Sequence, residues 1–188
     1  MKNHYQSLVK KTLEELELVL DPIEEHAIEA LLQALQDSAR IFISGKGRSG
    51  LQMRAFAMRL MHLGMQCYMV DDVTTPGIKA NDLLLIGSGS GQTPSLVEHA
   101  SKAKREDARL ALITANQDSP IALQADVLVL LSAPTPKAQK QIASKSVHPM
   151  GTLFEQSLGL FNDLFILLLM DRLEIDSETM FTRHANLE

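Results

Sequence analysis

Five short runs of this chain are apolar at consecutive positions: RIFIS (Arg40–Ser44), QCYMV (Gln66–Val70), DLLLIG (Asp82–Gly87), RLALIT (Arg109–Thr114) and DVLVLL (Asp126–Leu131). A strand with one wet face alternates apolar and polar residues. A continuous run demands burial on both faces, as in a parallel sheet with helices above and below. The intervening segments fit that demand. Ser49–Leu63 has helical length and periodicity, Pro94–Arg105 opens on a proline suited to a first helical turn, and Pro120–Gln124 has room for one short turn. Ahead of the first strand, residues 3–20 and 22–38 carry apolar positions at helical spacing, with Asp21 as N-cap and Pro22 in the first turn of the second helix. The expectation is an α/β fold: a doubly wound three-layer sandwich around a five-stranded parallel sheet, in flavodoxin-like order 2-1-3-4-5, preceded by a helical hairpin over 3–38.

Residues 132–150 (SAPTPKAQKQIASKSVHPM) lose all periodicity and gather Pro, Ser and Lys, the composition of a surface loop or flap. A last helix is expected from Thr152 to Leu173, followed by a polar tail ending RHANLE, so that helix and tail span 152–188. At 188 residues and 45% hydrophobic content, the chain suits one substantial core and a single domain over 1–188. Eighteen basic against 23 acidic residues leave a formal net charge of −5, which offers no general attraction to nucleic acid or anionic membrane. The first twenty residues mix charged and polar side chains and lack the pattern of a secretory leader, so a cytoplasmic protein is expected. Leu158–Met170 is shorter than the roughly 20 residues of a membrane span and is interrupted by Asn162 and Asp163, which suggests a buried helix. The lone cysteine, Cys67, sits in an apolar run and is read as a buried structural thiol.

Two strands run straight into small-residue turns: ISGKGRSG (Ile43–Gly50) and GSGSGQT (Gly87–Thr93), each just before a helix. Glycines let the backbone approach closely, hydroxyls donate hydrogen bonds, and the first-turn amides of the helix favour an anion. Either loop alone is ordinary strand-to-helix punctuation. Strands 1 and 3 are neighbours in the expected order, however, so the two loops converge at the topological switch point. A dinucleotide reading competes: Gly45, Gly47 and Gly50 give G-x-G-x-x-G, and Asp71 or Asp72 is placed to meet a ribose. Lys46 and Arg48 inside the loop, and a second hydroxyl-rich loop with no dinucleotide role, favour a cofactor-free phosphosugar site. The candidate phosphate and substrate ligands are Ser44, Gly47, Arg48 and Ser49 from the first loop, and Ser88, Gly89, Ser90, Gly91 and Thr93 from the second. Thr93 is equally a helix N-cap, and Arg48 equally a surface ion pair.

GKGRSG, GSGSGQT, FAMRLMHLG, PMGTLFEQS and the terminal RHANLE together resemble the 6-phospho-3-hexuloisomerase group of the SIS (sugar isomerase) family, along nearly the whole chain. The hydroxyl loop is general to SIS domains; the MRLMHLG, GTLFE and HANLE segments are narrower. The resemblance implies a homotetramer that converts D-arabino-3-hexulose 6-phosphate to fructose 6-phosphate through a cis-enediolate, in the ribulose monophosphate route of formaldehyde assimilation. It also places the base at Glu155, which by position alone is a carboxylate favoured at a helix N-terminus. Gln92 stands where the family more often has glutamate, and Lys46 where it commonly has a small residue. His62 and His184 are candidates for moving protons between substrate oxygens, His62 across a subunit interface if its helix meets a neighbouring subunit, and His184 from a tail folded over the site. By position they are a helix-terminal histidine and a tail residue. No H-x-x-x-H or H-E-x-x-H spacing supports a metal, and the chemistry requires no cofactor. The alternatives are an isomerase of another phosphosugar, such as arabinose 5-phosphate, whose enzymes usually carry added regulatory domains, and a non-catalytic phosphosugar-sensing module.

Overall fold

The computed structural model describes residues 1–134 and 146–187. Most of the expected loop over 132–150, and with it any flap, therefore lies outside the described residues. The elements run α1 (Lys2–Leu20), α2 (Glu25–Asp37), β1 (Ile41–Gly45), α3 (Gly47–His62), β2 (Cys67–Met69), β3 (Leu83–Gly87), α4 (Pro94–Arg105), β4 (Arg109–Thr114), a 3₁₀ turn (Ala122–Gln124), β5 (Val127–Leu130), α5 (Thr152–Leu173) and α6 (Ser177–Phe181). The strands form one parallel sheet in the order β2-β1-β3-β4-β5, as expected.

Consecutive side chains of the central strands feed opposite layers. Ile41 and Ile43 of β1, with Leu83 and Leu85 of β3, enter the core shared with α2, α3 and α5. Phe42, Leu84 and Ile86 enter the second core beneath α4. This double burial is the physical content of the unbroken apolar runs. At 22 residues α5 is long and apolar enough to cross a bilayer on length and composition alone, yet half of its most apolar window is buried within the fold. Its inner face, including Phe154, Leu158, Phe161 and Phe165, packs in the core where α5 meets α3.

Two boundaries differ from expectation. Asp21 keeps helical dihedrals and donates its N–H to the Glu17 carbonyl, so it closes α1. It cannot take the extended conformation of an N-cap. Glu24 takes it instead, and α2 begins at Glu25, past Pro22. The polar tail is also partly helical: the Asp176 carboxylate accepts the Thr179 N–H at 2.7 Å and starts α6.

Candidate active site

The register of β1 against β3 pairs Gly45 with Gly87, so both loops leave the sheet side by side. A cavity of about 350 Å³ opens between them, and the N-terminus of α5 forms its third wall. The first loop contributes Lys46, Arg48 and Ser49; the second contributes Ser88, Gly89, Ser90 and Thr93; the third wall runs from Met150 to Glu155. α3 is seated tightly to make this possible: a Cβ on Gly50 would stand 2.7 Å from the Gly45 carbonyl oxygen, backbone against backbone.

The hydroxyl loop is tied from behind. Ala115 N–H and Thr114 Oγ1 both donate to the Gly89 carbonyl, Asn116 Nδ2 donates to that of Ser90, and Ile121 N–H to that of Gly91. With these carbonyls engaged on the β4 side, Ser88, Gly89 and Ser90 line the cavity. Gly91 has φ +60, and a Cβ there would fall 2.0 Å from Ser119 Oγ, so its part is to turn the chain. Thr93 stands at the N-cap of α4 without a capping side-chain bond, which leaves the cap reading without its hydrogen bond and the hydroxyl on the cavity wall. The supporting residues Thr114, Asn116 and Ser119 escaped the sequence reading; the TANQDS turn after β4 was the signal for them.

Glu155 projects from the first turn of α5, its side chain 19% exposed, and accepts a 2.5 Å hydrogen bond from Arg48 Nε. The surface ion pair that competed with a ligand role for Arg48 is thus made with the candidate base itself. A guanidinium has further N–H donors, so Arg48 can hold the carboxylate and still meet a substrate oxygen. Lys46 is drawn aside to Asp71 at 2.8 Å, and its ammonium holds that carboxyl below the usual range. Asp72 accepts from Arg54 at 3.2 Å. Both aspartates placed to meet a dinucleotide ribose are therefore engaged with cations.

Several candidates lie elsewhere. Ser44 does not reach the cavity: it shares the α4-facing side of β1 with Phe42, is 1% exposed, and its Oγ lies 3.0 Å from His99 Nδ1. Burial depresses the His99 pKa below the usual imidazole value, the nearby Asp71 charge opposing that shift. Gly47 has φ +59 with open space around it and is absent from the lining, so its role is conformational. His62 and His184 stack on each other, ring centroids 5.3 Å apart, in a separate cavity of about 590 Å³ between α3, α5 and α6. Asp163 on its wall is two turns along α5 from Glu155, about 12 Å at helical rise. The tail folds over His62, whose carbonyl accepts from Arg183, and not over the Glu155 cavity. Within one chain the two histidines are not gathered with Glu155. Burial pushes the Cys67 thiol up to about 12, as suits an inert thiol. Among the described residues no cluster of three or more His, Cys, Asp or Glu is arranged to hold a metal.

Comparison with known proteins meets this geometry. The SIS domain matches residues 34–159, which contain both loops and Glu155. The 3-hexulose-6-phosphate isomerase of Bacillus subtilis is 44% identical over 180 residues, covering 96% of this chain and 97% of that one. The enzyme of the same name from Mycobacterium gastri is 40% identical, covering 97% and 89%. A solved structure from Methanococcus jannaschii, for which a 3-hexulose-6-phosphate isomerase function has been inferred, has a TM-score of 0.82 at 33% identity, covering 98% of this chain and 99% of that one. The chain belongs to the SIS domain family, and within it to the 3-hexulose-6-phosphate isomerases.

Proposed function

We propose that this protein is a sugar-phosphate isomerase that converts D-arabino-3-hexulose 6-phosphate to D-fructose 6-phosphate. The observation that carries the reading is one cavity holding a phosphate-type hydroxyl loop on one wall and a half-buried carboxylate, Glu155, on another. The relatives of that name, alike along nearly the full chain, support the same substrate. Moving the carbonyl from C3 to C2 needs a proton taken from C2 and one delivered to C3. Both proton transfers take place on one face of the planar cis-enediolate, so one carboxylate serves both. Ser88, Ser90, Thr93 and Ser49 hold the phosphate with the amides of the glycine-rich loops. Arg48 steadies Glu155 and stabilises the negative oxygen of the enediolate. The electrons never leave the substrate, so neither redox cofactor nor metal is required by the chemistry. The proton on O2 must pass to O3, and His62 or His184 of a neighbouring subunit is the candidate carrier. The physiological reading is a single-domain cytoplasmic homotetramer serving formaldehyde assimilation by the ribulose monophosphate route.

The test is a panel of phosphosugars assayed with purified wild type and with Glu155→Gln. The hexulose phosphate should be the best substrate. In the variant, kcat should fall by about 100-fold to 10,000-fold, while KM stays within roughly 3-fold. Near-normal turnover in Glu155→Gln would sink the base assignment, and preference for another phosphosugar would sink the substrate.

A further inference from the structure

Three described non-glycine residues have left-handed backbone: Asp107 (φ 56), Met150 (φ 56) and Glu174 (φ 52). Glu174 is the C-cap of α5, and Asp107 follows the C-cap of α4. A left-handed residue there is an ordinary way to stop a helix. Met150 lies on the other side, ahead of α5, and methionine has neither glycine's freedom nor the short polar group that lets Asn and Asp bond locally. The conformation is held by its surroundings. The Glu15 carboxylate of α1 accepts from Ser146 Oγ at 2.6 Å and from Val147 N–H at 2.8 Å, and His148 N–H donates to Ser146 Oγ at 2.9 Å. Pro149 biases His148 toward extended backbone, and the Pro149 carbonyl accepts from Thr152 N–H at 3.2 Å. This scaffolding presents an apolar side chain that is 83% exposed, on the rim of the Glu155 cavity. Strain of this kind persists where the surrounding structure over-determines it, and it concentrates at functional sites.

Resting on the isomerase reading above, we infer that Met150 is a substrate-contacting residue. Its side chain lies against the carbon backbone of the bound open-chain sugar phosphate and shields the C2–C3 bond from water while the hydroxyl loop holds the phosphate. Leu96 and Phe154 supply the other apolar surfaces of the cavity. Apolar cover at the reacting carbons strengthens the electrostatic contacts that Glu155 and Arg48 make there.

The test uses Met150→Gly and Met150→Leu. Glycine adopts positive φ freely, so Met150→Gly should raise Tm by about 2–4 °C. The same variant should lower kcat/KM by about 10-fold through loss of the apolar contact. Met150→Leu, which keeps both strain and bulk, should stay within about 3-fold of wild type in kcat/KM with unchanged Tm. Thermal shift with fructose 6-phosphate reads the contact without turnover: Met150→Gly should be stabilised less than wild type at equal ligand. Wild-type kcat/KM and an undiminished thermal shift in Met150→Gly would overturn the proposal, and a lower Tm would show that the backbone holds no strain. A wild type that is stabilised by fructose 6-phosphate through Met150 yet does not isomerise the hexulose would refute the activity and leave the contact standing.

Discussion

Thr93 fills the N-cap of α4 without making the capping bond, while Ser90 of the same loop lines the same cavity. Each hydroxyl placed on a phosphate makes a charge-assisted hydrogen bond, of about 1.5–3 kcal/mol. Ser90→Ala or Thr93→Val should therefore raise KM by about 10-fold to 100-fold and leave kcat within several-fold. Steady-state kinetics check this, and an unchanged KM in both variants would remove the phosphate from this loop. These hydroxyls were legible because they follow a strand and precede a helix. Ser44 misled for an equally physical reason: in a strand buried on both faces every residue looks alike in sequence, and strand alternation turns Ser44 toward His99 with Phe42 on the α4 side. The Arg48–Glu155 pair was illegible as a pair, because 107 residues separate its members and spacing carries no signal over such a distance.

At the scale of elements, the strands and α3 to α5 fell within about two residues of their expected positions, since double burial and proline at the head of α4 leave little choice. The start of α2 did not, because Asp-Pro looks like a cap until the Asp21 N–H finds the Glu17 carbonyl and stays in α1. What the seating of α3 on β1 requires is tested at two glycines with different demands. Gly50 needs the missing Cβ, which would press on the Gly45 backbone at 2.7 Å, whereas Gly47 needs only φ +59 and has open space. Gly50→Ala must push α3 off the sheet, costing about 1–3 kcal/mol and moving Arg48 and Ser49 away from the hydroxyl loop. Gly47→Ala should cost about 1 kcal/mol with the packing intact. Denaturant midpoints and KM measured together separate the two: Gly50→Ala should lose both stability and affinity. Equal losses in the two variants would show that close packing at Gly50 does not organise the site.

For the whole molecule, the strand order was legible because doubly buried strands alternating with helices favour the common doubly wound order, from which the convergence of the two loops follows, but where the histidines act was not. The outer face of α5 explains why that question extends beyond one chain. Leu160, Leu164, Leu167 and Leu168 are between 40% and 56% exposed at helical spacing, and three of them line the cavity that holds His62, His184 and Phe181. Leucines at i, i+4, i+7 and i+8 on one face make a continuous apolar stripe, larger in effect than the scattered exposed leucines of ordinary surfaces. A second copy of the chain is the occupant proposed here, since a closed homo-oligomer buries such a face by symmetry and the resemblance implies one. Light scattering at micromolar concentration should therefore give a multiple of the 20.8 kDa chain mass. Leu164→Glu sets a charge in the stripe, which burial in an interface would penalise by several kcal/mol, and should reduce the assembled mass. This variant leaves the Glu155 cavity untouched, so its kinetics decide what the histidines do. If they carry the O2-to-O3 proton for a neighbour, kcat falls as the assembly dissociates and is restored at protein concentrations that drive reassembly. If dissociated Leu164→Glu keeps wild-type kcat, His62 and His184 only bind the tail to α3, and each chain completes its own site.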